Sequence, residues 1–72
     1  MAISPDSAKA IANLGVNMIV TAESRYSPDS IKAIVEIVRG KGSHITVHAT
    51  GYSPDTLKAI AIIGGPHITI AI

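Results

Sequence analysis

Ser-Pro-Asp occurs three times in this chain, at Ser4-Pro5-Asp6, Ser27-Pro28-Asp29 and Ser53-Pro54-Asp55. Similar text follows each copy: Ser7-Ala8-Lys9-Ala10-Ile11, Ser30-Ile31-Lys32-Ala33-Ile34 and Thr56-Leu57-Lys58-Ala59-Ile60. The last two copies also share His44-Ile45-Thr46-Val47 and His67-Ile68-Thr69-Ile70. One supersecondary unit is thus written three times, with its serines 23 and 26 residues apart. A fixed period of this length is the mark of units that stack on one another to complete a core.

The middle copy shows how a unit should fold. Ser27 suits an N-cap, Pro28 the first helical position and Asp29 the positive end of the helix dipole. Tyr26 before the cap and Ile31 after it have the spacing of a hydrophobic staple. Ile31, Ile34, Val35 and Val38 fall on one helical face, and Gly40 and Gly42 are the stop signals, with Arg39 and Lys41 at the negative end. The first helix should close at Gly15 and the third at Gly64-Gly65-Pro66.

A β-branched stretch follows each helix, over Val16–Ala22, His44–Thr50 and His67–Ile72. One face of these strands carries Met18, Val20 and Ala22; Ile45, Val47 and Ala49; Ile68, Ile70 and Ile72. The other carries Asn17, Ile19 and Thr21; His44, Thr46 and His48; His67, Thr69 and Ala71. Such alternation buries one side of a sheet and leaves the other open. Right-handed crossovers with helices on a single face then require sequential strand order. The expected fold is α/β: a three-repeat helix–strand solenoid fragment, its parallel three-stranded sheet in order 1-2-3 with helices on one face. The chain is read as a single domain, residues 1–72, in three units of about 3–25, 26–51 and 52–72.

In this layout the chain resembles the strand-plus-helix units of leucine-rich-repeat proteins, although the L-x-x-L-x-L-x-x-N/C-x-L text of that family is absent. The resemblance implies a curved α/β stack and carries over no residues. Residues 53–65 are also similar to the first helix of TAL-effector repeats, a family that places a second helix where this chain has a strand. Near-identity between units suits a designed or consensus-built protein and equally a natural duplication.

Composition narrows the function. A domain of 72 residues buries only about 60% of its unfolded surface, and without cysteine it has no disulfide or thiolate metal site. Hydrophobic residues are 47% and charged ones 15%, against roughly 25% charged in typical soluble domains. Dense aliphatic packing, self-association or both must supply the missing stability. A net charge of +1 argues against nucleic-acid binding. No apolar run reaches the ~20 residues of a membrane span and no signal peptide is visible. Absence of cysteine fits a reducing compartment such as the cytoplasm.

Three sets of residues are candidates for a site. His44 and His67 occupy equivalent places on adjacent strands, which would bring their Cβ atoms to about 5 Å. That is close enough to share a transition metal, with Asn17 and His48 nearby. No carboxylate accompanies the pair, so a half-exposed strand surface explains it as well. The second set is the rim beyond the strand C-termini, where open α/β sheets bind ligands: Glu23, Ser24, Arg25, Tyr26, Thr50, Gly51 and Tyr52. The tyrosines there equally suit staples. The third is the outer edge of the last unit, where Ile68, Ile70 and Ile72 would be half covered and Ile62 stands in place of the polar Glu36. No charge or proline within this strand blocks edge pairing. A homodimer through the third strand and third helix, with an antiparallel strand pair, is the expected assembly. Lys9, Lys32 and Lys58 read as a solvated stripe. No nucleophile–base pair or phosphate loop is legible, so the chain reads as a non-catalytic, self-associating structural or protein-binding module that needs no cofactor. The alternative is a small metal-binding protein.

Overall fold

The computed structural model describes residues 3–72, the Ala22 side chain excepted. Its elements run α1 (Pro5–Ala12), β1 (Met18–Val20), α2 (Pro28–Lys41), β2 (Ile45–His48), α3 (Pro54–Gly64) and β3 (Ile68–Ala71). Short 3₁₀ turns occupy Ala22–Ser24 and Gly65–His67. The strands form one parallel sheet in the order β1-β2-β3, with Met18 opposite Ile45 and Ile45 opposite Ile68. The α/β class, the parallel pairing and the strand order are those expected from one-sided hydrophobic alternation.

Each Ser-Pro-Asp string starts a helix in the same way. The hydroxyls of Ser4, Ser27 and Ser53 accept the backbone N–H of Ser7, Ser30 and Thr56, each at 3.2 Å. The cap hydroxyl also bonds the hydroxyl of that third residue, at 3.0, 3.0 and 3.1 Å. A hydroxyl thus stands where a capping box would carry Glu or Gln. Proline at the first helical position loses no hydrogen bond there. The end of α2 is a Schellman turn. Gly42 is left-handed at φ 73°, its N–H donates to the Arg39 carbonyl, and Ser43 N–H reaches back to that of Val38. Gly40 lies within the helix; the positive φ needed to end it falls on Gly42 alone.

One cluster joins the layers. Ala8 and Ala12 of α1, Ile31, Ile34, Val35 and Val38 of α2, and Ile60 of α3 pack with Val20, Ile45 and Val47 of the sheet. All three helices therefore cover the strand face that carries those residues. On the opposite face Ile19 and Thr69 are exposed and Thr46 and His48 half-exposed. The shortest dimension of the molecule, 18 Å, fits one sheet and one helix layer.

The strands are shorter than the β-branched stretches. Val16 and Asn17 precede β1, and the chain turns into a 3₁₀ helix at Ala22. His67 closes the second 3₁₀ turn instead of opening β3, and Ile72 lies beyond β3, fully exposed. Proline explains the late start of β3: Pro66, after Gly65 at φ 56°, fixes a turn before pairing begins.

Gly64 sets the closest approach of α3 to the sheet. A Cβ there would stand 2.8 Å from Ile68 Cβ and Cγ2 and 3.0 Å from Val35 Cγ1. Gly64→Ala should therefore destabilise by about 1–3 kcal/mol through overpacking, despite alanine's better helix propensity. An unchanged urea midpoint would remove that close contact from the account. Ser27→Ala should cost about 0.5–2 kcal/mol, because the Ser30 N–H loses its acceptor at the head of the most buried helix. Chemical denaturation at equal protein concentration measures it.

Candidate functional site

The two loops that follow β1 and β2 lie side by side at the C-terminal edge of the sheet. After β1 the chain makes a 3₁₀ turn closed by Ser24 N–H on the Thr21 carbonyl at 3.1 Å. After β2 it makes a tight turn closed by Tyr52 N–H on the Ala49 carbonyl, also 3.1 Å. Between them opens a cleft of about 560 Å³ lined by Glu23, Arg25, Tyr26, Thr50, Gly51 and Tyr52. Six of the seven rim residues read from the sequence are thus brought together. Ser24 instead lines a smaller adjoining hollow of about 220 Å³.

The residue before each tyrosine has positive φ, Gly51 at 91° and Arg25 at 50°. Glycine takes this conformation freely, whereas a side chain there costs on the order of 1–2 kcal/mol. Among the described residues Arg25 is the non-glycine that carries this strain, and it lines the cleft. The strain has no signal in the sequence beyond the alignment of Arg25 with Gly51.

The tyrosines have unequal partners. Tyr26 is buried in the core cluster, and its hydroxyl donates to the carbonyl of Ile3, the residue before the first cap, at 2.8 Å. The corresponding acceptor for Tyr52 would be the Tyr26 carbonyl, yet the buried Tyr52 hydroxyl makes no hydrogen bond. Burial pushes the Tyr52 pKa above its ordinary value of 10.0 and the Tyr26 phenol adds to the rise. The Tyr26 backbone offsets part of it without forming a bond of ordinary geometry.

The histidine row is used for bracing. His44 N–H donates to Asn17 Oδ1 at 2.9 Å, tying β2 to the residue ahead of β1. The His44 ring reaches across to β3, its Nε2 2.7 Å from Thr69 Oγ1. His67 turns the other way, with Nδ1 3.0 Å from the Ser43 carbonyl. A carbonyl can only accept, so His67 Nδ1 is the donor in this bond. Among the described residues no group of three or more His, Cys, Asp or Glu side chains could hold a metal ion together. His48, at the end of β2, is half-exposed.

At the outer edge, Ile68 and Ile70 are half-buried where their counterparts Ile45 and Val47 are fully buried. Ile62 is 79% exposed. Its counterpart Glu36 is also exposed, although α2 has α3 beside it, so this position looks to solvent and not toward a neighbouring unit. The lysine stripe divides, Lys9 and Lys32 being half-exposed and Lys58 exposed.

Comparison with protein-family models, with curated proteins and with solved structures finds no match to this chain. No helix among the described residues is long and apolar enough to cross a membrane.

The tyrosine pair yields a sharp expectation. Tyr26→Phe should cost about 1 kcal/mol by stranding the Ile3 carbonyl, whereas Tyr52→Phe should be neutral or stabilising, since it removes a buried hydroxyl without a partner. Equal losses in thermal melts would contradict the assignment. The pH dependence has a definite sign. Below pH 10 Tyr52 is protonated in both states; above it the unfolded chain ionises first, and stability falls as pH rises. Tyr52→Phe should flatten that alkaline loss.

Proposed function

We propose that this chain is a non-catalytic helix–strand repeat module, a short solenoid-type stack, that associates with a second copy of itself through its α3/β3 end. One observation carries the reading. Among the described residues the large exposed apolar side chains are Ile3, Ile11, Leu14, Val16 and Ile19 in the first unit and Ile62 and Ile72 in the third. None falls in residues 26–51, the unit flanked on both sides. Ile19 lies on the open face of the sheet, and the counterpart of Ile62, Glu36, is exposed even in the flanked unit. These two aside, the exposed apolar surface lies where a unit has no neighbour beside it, as at the open end of a stacked array.

The β3 edge supports the same reading. Its free side offers unpaired backbone groups with no charged or proline residue inside the strand, the arrangement that invites another strand. The cleft residues Glu23, Arg25, Tyr26 and Tyr52 provide a ligand rim beside this function. Sedimentation velocity tests the proposal: mass should exceed the 7.4 kDa of one chain at micromolar concentration. Ile70→Lys, with helicity retained by circular dichroism, should return it to that of a single chain. A parent that stays monomeric, or a folded Ile70→Lys variant of unchanged mass, would overturn it.

The alternative, a metal site on the His44/His67 row, has one observation in its favour. Metal-ligating histidines commonly donate their second N–H to a backbone carbonyl, as His67 Nδ1 does to Ser43. On that reading zinc or nickel raises the melting temperature by mass action on the native state, and His67→Ala abolishes the gain. No shift at millimolar metal rejects it.

A further inference from the structure

Counterpart positions in the three units show that each unit has two different sides. Ile11, Ile34 and Ile60 are the same helix position, and their exposures are 37%, 0% and 0%. Leu14, Ile37 and Ile63 follow suit: Leu14 is 77% exposed and the other two are partly buried against the core. These positions are covered only where a unit precedes them. Ala12, Val35 and Ala61 behave in the opposite sense. The first two are fully buried and Ala61 is exposed, so this position is covered only where a unit follows. In the sheet, the central Ile45 is fully buried while Met18 and Ile68, opposite it on either side, are not.

A back side therefore meets a forward side at both contacts inside the chain. The first unit leaves a back side open at Ile11 and Leu14, and the third leaves a forward side open at Ala61 and Ile68. We infer that a second copy docks head to tail: its α1/β1 side seats on the α3/β3 side of the first, with its β1 parallel to β3. This rests on the self-association proposed above and names the mating surface. The contact repeats one the chain already makes twice, in parallel register each time. A two-fold pairing of β3 strands would instead press two forward sides together and leave Ile11 and Leu14 in water. A heterologous contact of this kind propagates, so it gives open chains or a closed ring instead of a fixed dimer.

Complementation between two surface variants decides the matter. Leu14→Glu charges the back side and Ala61→Glu the forward side, and both positions are exposed in the single chain. If circular dichroism shows lost helix in the first, Leu14→Gln replaces it. Head-to-tail docking predicts a parent mass that climbs with concentration, and each variant alone at the mass of one chain. An equimolar mixture should form a species of twice that mass and no larger, since each partner keeps one good side. If Leu14→Glu associates like the parent while Ala61→Glu does not, the pairing is two-fold about β3; the inference fails and the proposed function stands. If both variants associate like the parent, or their mixture stays monomeric, the inference fails as well. A parent that is monomeric at every concentration overturns both.

Discussion

Lateral contact between neighbouring helix–strand units is the interaction on which the rest of this structure depends. A lone unit here has a helix with one apolar stripe and a strand of three or four residues, too little to exclude water from either. Only α2 and β2 are flanked on both sides, and only there do four helix residues and both inward strand residues reach full burial. The two outer units borrow their order from the middle one. Val20 is nearly buried, whereas Ile70, its counterpart at the other edge, is half-covered, although β2 lies beside both. At roughly 25 cal/mol for each Å² of apolar surface removed from water, losing one neighbour costs a unit a sizeable part of its stabilisation.

Given that dependence, the caps act as spacers as much as stabilisers. Each Ser-Pro-Asp string starts its helix at a defined residue, and the hydroxyl pair at the cap fixes the phase of the helical face. The apolar stripe then meets the strand face that carries Ile45 and Val47. Among the described residues the polar side-chain links between units are few and hold that phase: Asn17 to His44, Tyr26 to Ile3, His44 to Thr69, His67 to Ser43, and Arg39 Nη1 to the Ile63 carbonyl at 3.0 Å. Each joins a side chain of one unit to a group in the next or the one before.

Much of this was legible because the same text recurs. Period-two alternation in the β-branched stretches, open on the His44/Thr46/His48 side, forced parallel strands in sequential order. The rim was legible because helix starts and strand ends in a parallel unit always fall at one edge, which put Glu23, Arg25 and Tyr26 beside Thr50, Gly51 and Tyr52. What could not be read depended on which neighbour covers a residue. Ile11 carries the same letter as Ile34 and Ile60 but a different burial, and no periodicity separates the three. Leu14, ahead of the expected helix stop at Gly15, is exposed for the same reason. Ile62 looked like part of an edge, yet the exposure of Glu36 shows that its position faces solvent even in a flanked unit. Gly40 and Gly42 both suited a helix stop, and only the backbone angle tells them apart.

The unequal tyrosines show how a repeated sequence can produce a non-repeated environment. Tyr26 and Tyr52 precede the same cap, and both hydroxyls point back along the stack toward the residue before the preceding cap. For Tyr26 that residue is Ile3, whose carbonyl accepts the bond. For Tyr52 it is Tyr26, yet the second hydroxyl is buried without a hydrogen-bond partner. The loop between them differs as well: Arg25 holds a strained left-handed backbone where Gly51 does so freely. Tyr52 and the strained Arg25 both line the same cleft, the place where identical letters have the least identical surroundings. Stacking equalises the apolar environment of successive units, but it cannot equalise a polar group whose acceptor is a different residue in each, and that is where this fold leaves its least satisfied chemistry.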